Sequence, residues 1–357
     1  MTGAFATNPP RVVVADDSAL MRSIVSRSLE RAGVDVVGSA RNGDEALALC
    51  ERERPDAMTL DLTMPGLDGL GVLRALRERP GGGIPVVVVS AFSAAHGARA
   101  VDALAEGAFD LVSKPAVSEG LDAFIENLGA KVKLALSSRR TLSPIRMPVA
   151  APNRVAATPP PAPRPTDDTK LARLVIIATS TGGPRALAAL MPKLPSPLGI
   201  GTLIVQHMPA GFTESLAARL DGATNLTVRE AEGGERLDAR TALLAPGGSH
   251  LRLGHDGLIQ LSDDPPVGGL RPRADLLIED AARAYGRRLL LVVLTGMGND
   301  GLRGAHEVRR RGGRILVEAE ESCTVYGMPR AIVDQGLADD VLTLDRLAGA
   351  IAAEAGR

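Results

Sequence analysis

Tryptophan is absent from this chain, and its aromatic complement is five Phe and two Tyr in 357 residues. So few rings cannot line a deep apolar pocket, and any binding surface is expected to be a shallow groove. Only Cys50 and Cys323 occur, with no spacing that makes a metal set or a disulfide framework. Long hydrophobic runs are missing too. The longest, such as Leu289–Leu294, fall far short of the roughly 20 residues needed to cross a bilayer. Met1–Pro10 has no basic stretch ahead of an apolar one, the mark of a secretory signal. Membrane insertion is therefore not expected, and a cytoplasmic location is.

An excess of one charge is also lacking, since the formal net charge is −1. The distribution is uneven: residues 1–130 hold 12 basic against 18 acidic side chains, and 131–166 hold seven basic and no acidic ones. Neither flanking region has the basic face of a nucleic-acid binder, so no nucleic-acid partner is expected. What is abundant is apolar residues, 45% of the chain, enough for two domains with cores of their own.

Short β-rich runs at 11–15, 34–40, 57–60, 85–90 and 109–113 alternate with helical patterns such as Ala19–Ala32. Five strands alternating with helices predict a doubly wound parallel sheet whose strand ends share one edge. Asp16 and Asp17 follow the first strand, Asp61 the third, Ser90 the fourth, and Lys114-Pro115 the fifth. Read singly, each acid is a solvated loop residue or a helix cap. Together, three carboxylates at one edge call for a hard cation such as Mg²⁺, with a lysine and a hydroxyl placed to hold phosphoryl oxygens.

From 129 to 169 the periodicity fades, and eight prolines fall between Pro144 and Pro165, which predicts a basic, semi-rigid linker. Its start, Lys131–Leu136, has a pattern that could extend the preceding helix. Alternation then resumes. A strand at 174–178 runs into Ser180-Thr-Gly-Gly-Pro184, a tight strand-to-helix turn with a proline suited to the first helical turn. A helix near 184–191 leads to a strand at 201–206 ending in Gln206-His207-Met-Pro. The run Arg288–Leu294 delivers Thr295-Gly-Met-Gly-Asn-Asp300-Gly to an equivalent loop. Parallel crossovers would bring Ser180, His207 and Asp300 to one edge. There a serine hydroxyl can be activated by an imidazole whose other nitrogen is held by an acid. Each residue also has a structural reading, as helix cap, core histidine and turn residue. His250, after Ala245-Pro-Gly-Gly, is a reserve base. A second chemistry competes: Gly296-Met-Gly298-Asn-Asp-Gly301 fits G-x-G-x-x-G, with Glu318 downstream at the distance of a ribose ligand, so a nucleotide-binding module without catalysis is an alternative.

Residues 11–128 resemble a two-component receiver domain, through Asp16-Asp17, Asp61-Leu-Thr-Met-Pro-Gly, Ser90 and Lys114-Pro115. The resemblance implies a five-stranded flavodoxin-like fold with Asp61 as phospho-acceptor. It further implies Asp17, Asp61 and the Thr63 carbonyl as Mg²⁺ ligands with Asp16 assisting, and Ser90 and Lys114 on the phosphoryl group. Leu111 stands where such domains usually carry a switch aromatic. Residues 170–352 are similar to the catalytic domain of the chemotaxis response-regulator methylesterase family, CheB, through Ser180-Thr-Gly-Gly-Pro, Gln206-His207-Met-Pro, Ala245-Pro-Gly, Thr295-Gly-Met-Gly-Asn-Asp300-Gly and Tyr326-Gly-Met-Pro-Arg330. Ala178-Thr179 replaces the family's usual Gly-Ala before the serine. This resemblance implies a doubly wound, mainly parallel Rossmann-like hydrolase. Its reaction would be hydrolysis of glutamate methyl esters and deamidation of glutamines on methyl-accepting chemotaxis receptors, under a chemotaxis histidine kinase as phosphodonor. Ser180, His207 and Asp300 would be nucleophile, base and orienting acid, the Met297 N–H an oxyanion donor, and the hydrolytic step would need no cofactor.

Overall fold

The computed structural model describes residues 9–79, 83–91, 94–115, 121–141, 171–254 and 256–356. The chain divides into two compact units, Met1–Thr141 and Leu142–Arg357. Among the described residues no helix is long and apolar enough to cross a membrane.

In the first unit, β1 (Arg11–Ala15), β2 (Asp35–Ala40), β3 (Ala57–Leu60), β4 (Val86–Ser90) and β5 (Asp110–Ser113) alternate with α1 (Ala19–Arg31), α2 (Gly43–Glu53), α3 (Gly69–Arg77), α4 (Ala94–Ala105) and α5 (Leu121–Thr141). The sheet is parallel in the order β2-β1-β3-β4-β5, the flavodoxin-like arrangement expected. Its central strands are mostly apolar because helices cover both faces. Every residue of β3 and β4 is buried. Side chains end the loops and start the helices: Ser18 accepts from Met21 N–H, Asn42 from Glu45 N–H and Asp68 from Gly71 N–H. Leu111 lies inside β5 and is buried in the core. The last helix, α5, runs through Lys131–Leu136 to Thr141, so the segment expected as linker over 129–169 begins as helix, and its remainder, 142–169, lies outside the described residues.

The second unit is built on β6 (Leu174–Thr179), β7 (Gly201–Gln206), β8 (Thr227–Glu230), β9 (Thr241–Leu244), β12 (Leu289–Val293), β13 (Arg314–Glu318) and β14 (Asp340–Leu342), with a hairpin of β10 (His250–Leu253) and β11 (Ile259–Ser262). The helices are α6 (Gly183–Leu190), α7 (Phe212–Asp221), α8 (Ala274–Tyr285), α9 (Leu302–Arg310), α10 (Met328–Asp334) and α11 (Leu344–Ala355). The seven-stranded sheet is parallel in the order β14-β13-β12-β6-β7-β9-β8, and the two strands of the hairpin pair antiparallel. All six residues of β6 are buried. Ile176 and Ala178 pack with Leu203, Leu291, Leu277 and Ile332 in one core, each large apolar side chain contributing about 1.5–3 kcal/mol by its burial.

The path of the chain decides where a site can form. It enters the sheet at β6, in the middle, moves outward through β7, and returns on the opposite side at β12. Connections therefore leave β6 and β12 in opposite directions, which opens a crevice at their carboxyl ends. Ser180 follows β6, His207 follows β7 and Asp300 lies in the loop after β12.

Candidate active site and receiver cluster

Ser180 is the first residue beyond β6. Its N–H donates to Thr295 O (3.0 Å), and its carbonyl accepts from Gly183 N–H (2.8 Å), closing the turn into α6. Gly182 sits at φ +81°, and a Cβ there would lie 2.4 Å from Thr324 Cβ, so only glycine makes this turn. On the other side the loop after β12 runs against the serine. A Cβ on Gly296 would come 2.8 Å from Ser180 Cβ and 2.4 Å from Met328 Sδ. Gly296 in turn pairs with Tyr326 and accepts from Gly327 and Met328 N–H (3.0 and 2.9 Å), which brings the Tyr326–Arg330 motif to the crevice. The Arg330 guanidinium lies over the Tyr326 ring, 5.4 Å from its centre.

His207 follows the strand that pairs with β6, Thr179 being in register with Gln206, and its N–H donates to Thr179 O (3.1 Å). Its Nε2 stands 2.8 Å from Asp300 Oδ2. Asp300 is buried and richly supplied with donors: Ala274 N–H (2.7 Å) on Oδ2, and Asp275 and Gly301 N–H (2.9 Å each) on Oδ1. Burial alone would push its carboxyl up, but the hydrogen bond and charge attraction of His207, with those amides, outweigh it and hold the carboxyl well below the usual range. An ionised Asp300 only accepts, so the Nε2 facing it carries the hydrogen. Nδ1 is then the basic nitrogen, free of the acid and available to a hydroxyl. Met297, at the open side of the loop, is 47% exposed.

The reserve histidine has a structural place. His250 is fully buried, its Nδ1 accepts from Arg273 N–H (3.1 Å) and its Nε2 faces Pro265 O (3.3 Å), so both nitrogens are occupied. The dinucleotide reading meets a similar obstacle. Glu318, the expected ribose ligand, is fully buried and accepts from Thr295 N–H (2.8 Å) and the Ser322 hydroxyl (3.0 Å), while Asp300 of the glycine motif faces His207. Sequence reasoning missed four residues that support the crevice: Gln206, Arg273, Asp275 and Glu318 in this bracing role. Each has at least one partner more than 20 positions away in sequence, Ser180 for Gln206, His250 for Arg273, Gly301 for Asp275 and Thr295 for Glu318, and no spacing announces them.

In the receiver unit, Lys114 follows β5 and its Nζ lies 2.7 Å from Asp16 Oδ2 and 2.9 Å from Asp61 Oδ2. Burial would lower the lysine, yet its hydrogen bonds and charge pairing with the two acids prevail and raise it. Asp16 is raised by burial, against the pull of Lys114 and Ser18 N–H. Asp16, Asp17 and Asp61 present oxygens within 4.8 Å of one another. Thr63 N–H donates to Asp61 Oδ1 (3.3 Å), and the buried Ser90 hydroxyl has no hydrogen-bond partner among the described residues. An all-oxygen carboxylate set beside one lysine and one idle hydroxyl suits a hard dication and a phosphoryl group.

The family model for CheB methylesterase matches residues 175–351, and that for the response regulator receiver domain matches residues 12–126. A protein-glutamate methylesterase/protein-glutamine glutaminase of Symbiobacterium thermophilum is 41% identical over 355 residues, covering 98% of each chain. The chain belongs to the CheB methylesterase family. Another relative, protein-glutamate methylesterase/protein-glutamine glutaminase 5 of Myxococcus xanthus, is 41% identical and covers 95% of this chain and 96% of its own. The crystal structure of the Thermotoga maritima CheB methylesterase catalytic domain is 40% identical, with a TM-score of 0.49 over 51% of this chain and 97% of that one. A CheB family member whose match to the receiver model precedes its match to the methylesterase model carries both modules that the two sheets embody.

Proposed function

We propose that this chain is a protein-glutamate methylesterase and protein-glutamine glutaminase governed by its receiver, with Ser180 as nucleophile, His207 as base and Asp300 as orienting acid. The observation that carries this reading is the 2.8 Å pairing of His207 Nε2 with buried Asp300, on the strand end beside Ser180. Because Nε2 is committed to the acid, the Ser180 proton passes to Nδ1 as Oγ attacks the glutamyl ester carbon. Charge developing on the carbonyl oxygen is received by the Met297 N–H. Collapse of the adduct expels methanol, which takes its proton from His207. Water then gives a proton to Nδ1 and cleaves the acyl-enzyme, releasing glutamate and restoring Ser180. A glutamine side chain follows the same course with ammonia as leaving group. Both substrates end as glutamate because both pass through one glutamyl acyl-enzyme, and the substrates are glutamyl residues of methyl-accepting chemotaxis receptors. The hydrolytic step uses side chains and backbone alone.

Asp61 is the phospho-acceptor, and a chemotaxis histidine kinase is the donor. Asp17, Asp61 and the Thr63 carbonyl would hold Mg²⁺ with Asp16 beside them, and the ion would offset charge on the phosphoryl oxygens. Lys114 and Ser90 then bind those oxygens, the lysine leaving the two acids it now pairs with. The hydrolase reading is tested by methanol release from methylated receptor membranes. Activity in the parent and its loss in Ser180→Ala is the expected result, and release by the variant at the parental rate would overturn it.

A further inference from the structure

Arg273 immediately precedes α8, and its backbone is fixed by His250, which accepts its N–H (3.1 Å). Its guanidinium spans two buried carboxylates: Nη2 lies 2.8 Å from Asp275 Oδ2 and Nε 3.1 Å from Asp300 Oδ1. A third donor, Nη1, reaches Val267 O (3.1 Å). The two acids are themselves interlocked. Asp300 accepts from the first two amides of α8, Ala274 and Asp275, while Asp275 Oδ1 accepts from Gly301 and Gly304 N–H at the start of α9 (2.9 Å each). Each helix is thus capped by the acid that belongs to the other, which fixes the Asp300 rotamer but concentrates negative charge beside His207.

Such a pair repels itself. Burial and the charge of Asp300 push the Asp275 carboxyl up, and burial would lower Arg273, but its bond to Asp275 and the charges of both acids raise it instead. The charged or titratable groups gathered here are Asp300 from the loop after β12, Arg273 and Asp275 at the head of α8, and His250 from β10 behind Arg273. Arg303 and His306 of α9 line a cavity of about 230 Å³ together with Arg273, Asp275, Asn299 and Leu302, and Arg303 is paired with Glu279. Among the described residues Arg273 is the cation that touches both carboxylates. Without it the imidazolium of His207 would be the remaining counter-charge, and a protonated imidazole cannot act as a base.

We propose that Arg273 is a positioning residue for proton transfer, clamping Asp300 and balancing the Asp275–Asp300 pair so that His207 stays unprotonated at working pH. The inference rests on the Ser180–His207–Asp300 mechanism above. The cavity gives a shorter side chain room without a clash, so substitution is practical.

The test uses the full-length protein with Arg273→Met, Arg273→Gln and Arg273→Lys, each checked for folding by circular dichroism. Two quantities are measured: the acid limb of kcat/KM for methanol release, and the titration midpoint of the His207 imidazole by ¹⁵N NMR without substrate. Both should rise by about one pH unit in Arg273→Met, giving about tenfold lower activity on the acid side and recovery toward the parent on the alkaline side. Arg273→Gln, which keeps donors and loses only the charge, should shift them in the same direction, and it decides the matter if the Met variant does not fold. Arg273→Lys should leave both midpoints near the parent's while kcat falls a few-fold, because an ammonium keeps the charge but not the fork. A folded neutral variant with unmoved midpoints overturns the proposal, as does a lysine variant that shifts as far as the methionine one. The imidazole titration needs no turnover, so it can fail while the serine mechanism stands. Conversely, methanol release by Ser180→Ala would overturn the mechanism and leave the titration unaffected.

Discussion

Gln206 is bonded to Ser180 through its side chain: the carboxamide Nε2 donates to the Ser180 carbonyl (3.0 Å) and, from the same nitrogen, to the carbonyl of His207 (3.1 Å). One buried amide thus ties the backbone of the residue proposed as nucleophile to that of the residue proposed as base, and fixes the separation of two strand ends.

Gln206→Glu should therefore be damaging despite its size. An ionised carboxylate would face two carbonyl oxygens with no hydrogen to give, and the strand ends would part. Displacement of reacting groups by about 1 Å can cost on the order of 100-fold, so kcat for methanol release should fall by roughly 10- to 100-fold with a smaller change in KM. Wild-type kcat in a folded Gln206→Glu protein would show that the bridge does not set the geometry.

Asp300→Asn changes the tautomer rather than the shape. Its oxygen and its NH₂ group compete for the position facing His207 Nε2. Ala274 and Asp275 N–H (2.7 and 2.9 Å) both need acceptors, so the side chain cannot satisfy every partner. Where the amide NH₂ faces Nε2, the imidazole must carry its hydrogen on Nδ1, the nitrogen that has to accept from Ser180. Turnover should drop on the order of 10⁴-fold, and Ser180→Ala should drop it comparably. Loss smaller than tenfold in Asp300→Asn would assign the orienting role to another group.

The receiver sheet was legible in sequence because parallel strands buried on both faces are short apolar runs, and each of its five expected strands appears within one residue of its predicted start; in the second unit β6, β7 and β12 were legible in the same way, whereas β8, β13 and β14 were not expected. That Ser180, His207 and Asp300 share an edge was legible for a related reason: once three strands are known to be parallel, the residues that follow them lie at the same edge. The bracing shell was not. Asp275 acts on Gly301 and Gly304, 26 and 29 positions away, and no local pattern encodes a cap supplied by another helix. His250 misleads for the opposite reason, since the strand-like run before it, β9, is in the parallel sheet, whereas His250 itself opens the antiparallel hairpin. Glu318 fits a nucleotide motif by spacing alone; burial decides against it.

Glu318 offers a stability prediction. Burial raises its carboxyl above the ordinary value of 4.5, against the opposing bonds from Thr295 N–H and Ser322. A raised acid binds its proton more tightly folded than unfolded, so stability falls as pH rises through 4.5 and beyond. In Glu318→Gln the amide oxygen can still accept from Thr295 N–H, and the NH₂ can donate to Ser322 Oγ, with no charge to bury. The melting temperature of Glu318→Gln relative to the parent should thus climb between about pH 4.5 and 8, by several degrees for a difference of about 1 kcal/mol. A difference that is flat or shrinks over that range would mean that Glu318 is not held in its charged form at a cost.

Control by the receiver should depend on release of Lys114. In the resting arrangement its ammonium is committed to Asp16 and Asp61 at 2.7 and 2.9 Å, and the Ser90 hydroxyl is buried without a partner among the described residues. A phosphoryl group on Asp61 would bring oxygens that compete for the ammonium and give Ser90 an acceptor, a change in pairing large enough to bias a two-state domain. Acetyl phosphate with Mg²⁺ should raise methanol release in the parent and leave Asp61→Asn unstimulated. Lys114→Met should still take up label from acetyl phosphate but respond weakly, because the phosphoryl oxygens lose their cation, and Ser90→Ala should fall between Lys114→Met and the parent. The comparison is the ratio of initial rates with and without acetyl phosphate, for proteins of equal unstimulated rate. Stimulation of Asp61→Asn as strong as the parent's would remove Asp61 as the control point, and an undiminished ratio in Lys114→Met would detach the response from the lysine.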